Sequence, residues 1–278
     1  MKRSSLAACL SALAALLLGF SRLASAHDFW IEPSTFRPAA GDLVTASLRV
    51  GQKVQGDPLP RIPTLIDRFV LKSVHGETPL VGRPGSDPAG AVRVAEAAEA
   101  WIAYQSFAYP VTLPAGKFED YLREEGLEAI VQKRAKNGQT AAEGRERFYR
   151  CAKALLAGPG APQKTGTFET PLGFTLELVP RKNPYALKAG GELPLALSFR
   201  GKPAAGILVV AMNRDAPEQR IAARTDARGQ VTVPLERAGF WLVKAVLMEP
   251  APAGSGVDWE SWWASLTFEL APSLAAKK

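Results

Sequence analysis

The chain has 278 residues, a formal net charge of +7 from 34 Lys and Arg against 27 Asp and Glu, and two cysteines. That length fits one or two domains built on hydrophobic cores. Charges of both signs are interleaved without any Lys/Arg block carrying aromatics, which argues against nucleic acid, and nothing after the first residues reaches the ~20 apolar positions of a membrane helix, which argues against an anchor.

Residues 1–26 read as a cleaved signal peptide. Lys2 and Arg3 supply a basic start, Leu6 to Phe20 an apolar run, and Ala24-Ser25-Ala26 a small-residue cut site. A soluble periplasmic product follows, with His27 as its first residue. Cys9 leaves with the leader; Leu6-Ala7-Ala8-Cys9 precedes the apolar run, whereas a lipidated cysteine lies at the cut. Cys151 then stands alone, so no intramolecular disulfide forms.

From Phe29 to Leu113, short alternating segments are broken by Pro and Gly. Residues 43–50, 68–74 and 100–106 predict strands, with turns at Gly56-Asp57-Pro58 and Arg83 to Gly90. This is the expected N-terminal β-sandwich region, 27–114. The period then changes: Phe118, Tyr121, Leu122, Leu127, Ile130 and Val131 approximate a helical face ended by Asn137-Gly138. Thr140 and Glu143 form a capping box, and Phe148, Cys151, Ala152, Leu155 and Leu156 predict a second helix, with Cys151 on its apolar stripe, up to Gly158. A helical insertion over 115–158 is the result.

Strands return at 175–179, 193–199, 206–212, 230–235, 240–246 and 263–270. Asp226 and Gly229 mark a tight reversal. The pattern predicts a C-terminal immunoglobulin-like or transthyretin-like sandwich over 171–271. The fold class is therefore mainly β, with two β-sandwich regions and an inserted helical pair.

Templates for hydrolase, zinc-protease, phosphate-binding and dinucleotide sites are missing from the sequence, and only two histidines exist, so a binding protein is expected rather than an enzyme. An N-terminal histidine offers an amine and an imidazole nitrogen for one chelate ring on a divalent metal. His75 is the one imidazole that could complete a histidine brace, although Val74-His75-Gly76-Glu77 reads as a solvent-facing turn. Asp28 neighbours the terminus, and Met248 is a soft ligand suited to copper(I). Trp259 and Trp262, with Trp263, Asp258 and Glu260, form the densest aromatic cluster, either a partner surface or a cap on the core. Copper-dependent oxidation at a brace is the one enzymatic alternative.

Several stretches together carry a resemblance: His27-Asp28-Phe29-Trp30-Ile31-Glu32-Pro33, Leu48-Arg49-Val50-Gly51, Arg83-Pro84-Gly85 with Asp87-Pro88-Ala89-Gly90, Tyr121 to Leu127, Tyr149 to Leu155, Thr225-Asp226 with Gly229, Trp241 to Val246, and Asp258 to Leu270. The chain resembles the exported bacterial proteins of domain of unknown function family 4198. The resemblance implies a periplasmic accessory to nickel or cobalt uptake, partnered with a membrane metal transporter or another envelope protein, and a transthyretin-like second half. It also exposes a departure. Many members carry a histidine followed by methionine after Lys-Ala-Val, whereas this chain has Leu247 before Met248. The expected function is transition-metal binding (nickel, cobalt or copper) for uptake or delivery; the alternative is a metal-free envelope interaction module using the tryptophan-rich surface.

Overall fold

The computed structural model describes residues 27–158 and 166–272. The predicted signal peptide and its cut site lie outside them. In chain order the strands are β1 (Asp28–Pro33), β2 (Leu43–Gln52), β3 (Gln55–Leu59), β4 (Ile66–Ser73), β5 (Gly76–Pro79), β6 (Gly90–Arg93), β7 (Ala100–Ser106) and β8 (Tyr109–Leu113). Helices α1 (Ala115–Glu124) and α2 (Glu128–Lys136) follow, then β9 (Gly144–Leu156) and β10 (Leu176–Pro180). The chain continues through β11 (Gly191–Phe199), β12 (Lys202–Pro203), β13 (Leu208–Asn213), β14 (Ile221–Arg224), β15 (Gln230–Leu235), β16 (Gly239–Pro250) and β17 (Trp259–Leu270).

Three sheets stack as layers. The middle one has nine strands in the order β14-β13-β16-β17-β9-β7-β4-β5, with β8 continuing the β7 edge of β9. A four-stranded sheet of β1, β2, β3 and β6 covers one face, and another of β10, β11, β12 and β15 covers the other. Alternation along β7 shows how one strand feeds both cores: Trp101 and Ala103 point to the β10-side core, and Ala100, Ile102 and Tyr104 to the β1-side core. The two halves of the chain meet in this shared layer, where β17 runs parallel to β9.

The mainly β class holds, with a helical pair inserted as expected, but the pair is α1 and α2. The helix predicted from Thr140 is instead the central strand β9. Its neighbours β17, β7 and β8 cover both edges, and the outer layers cover both faces of its second half, residues 150–156, so both sets of alternating side chains are buried there and the period-two signal disappears. Cys151 is buried as expected, but on this strand; burial pushes its thiol up to about 12. Gly56-Asp57-Pro58 also lies in a strand, β3, and the reversal sits at Lys53-Val54, both with positive φ. The Asp226 turn forms as predicted: its Oδ1 accepts the amides of Arg228 and Gln230 at 2.8 Å each, and Gly229 has φ +71°, with Leu197 O and Ala204 N against the place of a Cβ.

Helices α1 and α2 lie on the same face of the central sheet as the β1 layer, beside it. Phe118, Tyr121, Leu122, Leu127 and Ile130 pack with Val246, Met248 and Trp259 as a third core. Gly144 at the start of β9 is required there, because a Cβ would fall 2.2 Å from the Phe118 ring. A seam therefore runs across that face between the β1 layer and the helices.

Candidate functional site at the amino-terminal seam

Asp28 opens β1, antiparallel to β2 in register with Gly51. Its carboxylate points into the seam and meets the ammonium of Lys244, which projects from the middle of β16 between Leu242 and Val246 on the same face. Glu125, just beyond the last turn of α1, completes the cluster with Oε1 2.7 Å from Lys244 Nζ. All three are buried, at 5, 6 and 4 % exposure.

Bringing these charges out of water costs several kcal/mol per ion unless they are matched. Burial raises the Glu125 carboxyl above its ordinary value, opposed by Lys244 and reinforced by Asp28. Burial also pulls on Lys244, yet Glu125 and Asp28 more than offset it and hold the ammonium above its usual range. Two carboxylates face one ammonium. A helix C-terminus disfavours a further negative charge, so Glu125 depends on Lys244.

A further buried carboxylate lies under α1. Glu146 of β9 accepts from Tyr121 OH at 3.1 Å and from Ser261 Oγ, and Trp263 Nε1 donates to that same Oγ at 3.0 Å. Burial pushes Glu146 up to about 7, against these hydrogen bonds. No cation pairs with it among the described residues.

The predicted ligands are not gathered. His27 is half-buried at the rim of the seam, one residue from the Asp28 carboxylate. Met248 shares that face of β16 but is buried in the third core, four residues from Lys244 and so about 13 Å along the strand. His75 is exposed in the turn between β4 and β5, with Nε2 2.9 Å from Glu96 Oε1. Four strand spacings, about 19 Å, separate β4 from β16, and the turn lies toward the opposite end of the sheet from Met248. His75 therefore cannot join His27 or Met248 in one brace within the chain. Asp28 is already engaged by Lys244. Among the described residues no group of three His, Cys, Asp or Glu side chains is placed to hold an ion.

The tryptophan surface also needs correction. Trp259 is 3 % and Trp262 5 % exposed. Trp262 stacks on Tyr149 with ring centroids 5.5 Å apart and is met edge-on by Phe199, so β17 turns it into the β10-side core; Trp259 belongs to the core under the helices. Neither offers an outward face for docking.

Lys244 and Glu125 were absent from the predicted set. Their sequence signal is a lone cation inside the apolar run Val243 to Val246, which burial obliges to find a carboxylate.

No helix among the described residues is long and apolar enough to cross a membrane. No curated protein matches the chain. Among solved structures it is similar to the D0-D1 domain of intimin, at 9% identity and a TM-score of 0.21, over 87% of this chain and 97% of that one. The chain belongs to the domain of unknown function family DUF4198, whose profile matches residues 24–249. That match spans His27, Asp28, Glu125, Glu146 and Lys244 and stops before Asp258, so the tryptophan cluster lies beyond it.

Proposed function

We propose that this protein is an exported periplasmic accessory that holds a transition-metal ion at His27 as cargo, for uptake or delivery. The observation that carries the reading is the charge imbalance beside that residue: Asp28 and Glu125 present two carboxylates to the single ammonium of Lys244, one position from His27. Removal of a leader at Ala26 adds an amine and frees a two-nitrogen chelate next to this excess negative charge, which favours a cation there. The donor set fits a cargo site open on one side better than a closed structural site, which needs four protein ligands. Two nitrogens suit tetragonal nickel(II) or copper(II), with remaining positions left for a receiving protein. His75 and Met248 take no part in this version, because the fold holds them elsewhere.

Isothermal titration of the chain starting at His27 with nickel, cobalt and copper tests it. A saturable one-site isotherm is expected, lost in His27→Ala and in a variant with one alanine ahead of His27. Equal heats in all three proteins would reject the site.

A further inference from the structure

Four cations are buried among the described residues, and three have carboxylates. Lys244 has Asp28 and Glu125, Arg134 has Glu119 at 2.9 Å, and Lys153 has Glu177 at 2.7 Å. Arg150 of β9 is the exception. It is 9 % exposed, and its guanidinium makes no hydrogen bond or ion pair with any described residue. Aromatic rings hold it instead, with Cζ 4.5 Å from the Phe29 centroid and 5.2 Å from that of Phe148.

The backbone shows why an opening exists at this point. β7 pairs with β9 only as far as Gln105 opposite Cys151, and β8 resumes the same edge at Tyr109 opposite Phe148. Between them the chain swings out, Phe107 N bonds to Leu65 O, and the Arg150 amide is satisfied by Ser106 Oγ at 2.9 Å. Such breaks in a ladder re-aim side chains and open space. The resulting pocket is lined by Leu59, Leu65, Tyr104, Phe107, Phe148 and Arg150, among others. The Tyr104 hydroxyl also lacks a hydrogen-bond partner among the described residues. Phe107, 52 % exposed, stands at the mouth.

We infer that this pocket binds a small organic carboxylate, with its head group on the Arg150 guanidinium and the Tyr104 hydroxyl and its apolar body along Leu59, Leu65 and Phe107. Arg150 lines the pocket and Arg61 adds positive charge beside the Tyr104 hydroxyl, which favours an anion, and the flat guanidinium fork of Arg150 matches a planar carboxylate. The pocket is open to one side and has about 20 Å³ of inner room, enough for about one water-sized group, so only the head group enters while the remainder lies toward the mouth. Apolar walls exclude a heavily hydrated dianion such as phosphate. The site is independent of His27 and stands whether or not a metal binds there.

Titration of the chain starting at His27 with sodium benzoate in chloride-free buffer tests the inference, with benzamide as the uncharged isostere and sodium chloride as a bare anion. Saturable benzoate binding is expected, absent with benzamide and not matched by chloride. Arg150→Met should abolish it, and Tyr104→Phe, which keeps the ring packing, should weaken it about fivefold. Arg150→Lys, which keeps the charge without the fork, should fall between. No saturable response up to ~10 mM, an equal response to benzamide or chloride, or unchanged affinity in Tyr104→Phe and Arg150→Lys would overturn it. The two conservative variants keep the test open even if Arg150→Met does not fold.

Discussion

Lys244 and Asp28, 216 positions apart, form a buried ion pair that ties the first strand of the described fold to the middle of the central sheet. Thr267 adds a second tie one strand over, donating to Ile31 O at 2.9 Å. The start of β1 is therefore a fixed point of the structure, and His27 is presented from a rigid base.

Replacing Lys244 with methionine should destabilise the protein by about 3–5 kcal/mol, because two buried carboxylates lose their counter-charge. Adding Asp28→Asn and Glu125→Gln to that variant should recover much of the loss, since no net charge then remains in the seam. Urea denaturation at neutral pH measures both. Equal stability of the wild type and the single variant would show that the cluster is hydrated.

Much of this architecture was legible. β7 and β15 match their predicted spans residue for residue, because each alternates cleanly or is bounded by turn residues, and the Asp226 turn follows from local hydrogen bonding. β9 was not legible: enclosure on both faces and both edges erases alternation, and its charges at Glu146, Arg150 and Lys153 break any apolar run. The seam was half legible. His27 and Asp28 are adjacent in sequence, but Lys244 and Glu125 reach them only through the topology. A cation inside an otherwise apolar segment, Lys244, was the available signal.

Glu146 should make stability fall as pH rises. Its carboxyl stands at about 7 in the folded chain against 4.5 ordinarily, raised by burial. The native state then holds an extra proton between those values, so the contribution of Glu146 to stability is fully present below pH 4.5 and is lost as pH climbs through 7. The difference corresponds to about 3 kcal/mol. Thermal melts from pH 5 to 8 should show that decline in the wild type and little of it in Glu146→Gln, which keeps an acceptor for Tyr121.

Trp262→Ala should cost about 3–5 kcal/mol, as for other buried large-to-small changes. The side chain fills the β10-side core between Tyr149 and Phe199, with the Arg200 guanidinium 5.1 Å from its ring. A tryptophan serving only as a docking surface would leave the urea midpoint unchanged.

Cys151 should report global unfolding. It is the one cysteine among the described residues, faces the β10-side core from the middle of the central sheet, and its thiol is pushed up to about 12 by burial. Nucleophilic attack needs the thiolate, which is scarce at such a value, and a reagent cannot reach the sulfur through the covering strands. An aromatic disulfide reagent at pH 8 should therefore modify the native chain starting at His27 only as fast as the whole fold opens. The rate should rise with urea in parallel with the loss of circular dichroism. Destabilising variants such as Lys244→Met should accelerate it in proportion to their loss of stability while leaving the rate in fully unfolded protein unchanged. Rapid labelling of the native wild type, or labelling that does not respond to urea, would mean that β9 is reached by local opening, and that the central sheet is not the cooperative unit its two-sided burial implies.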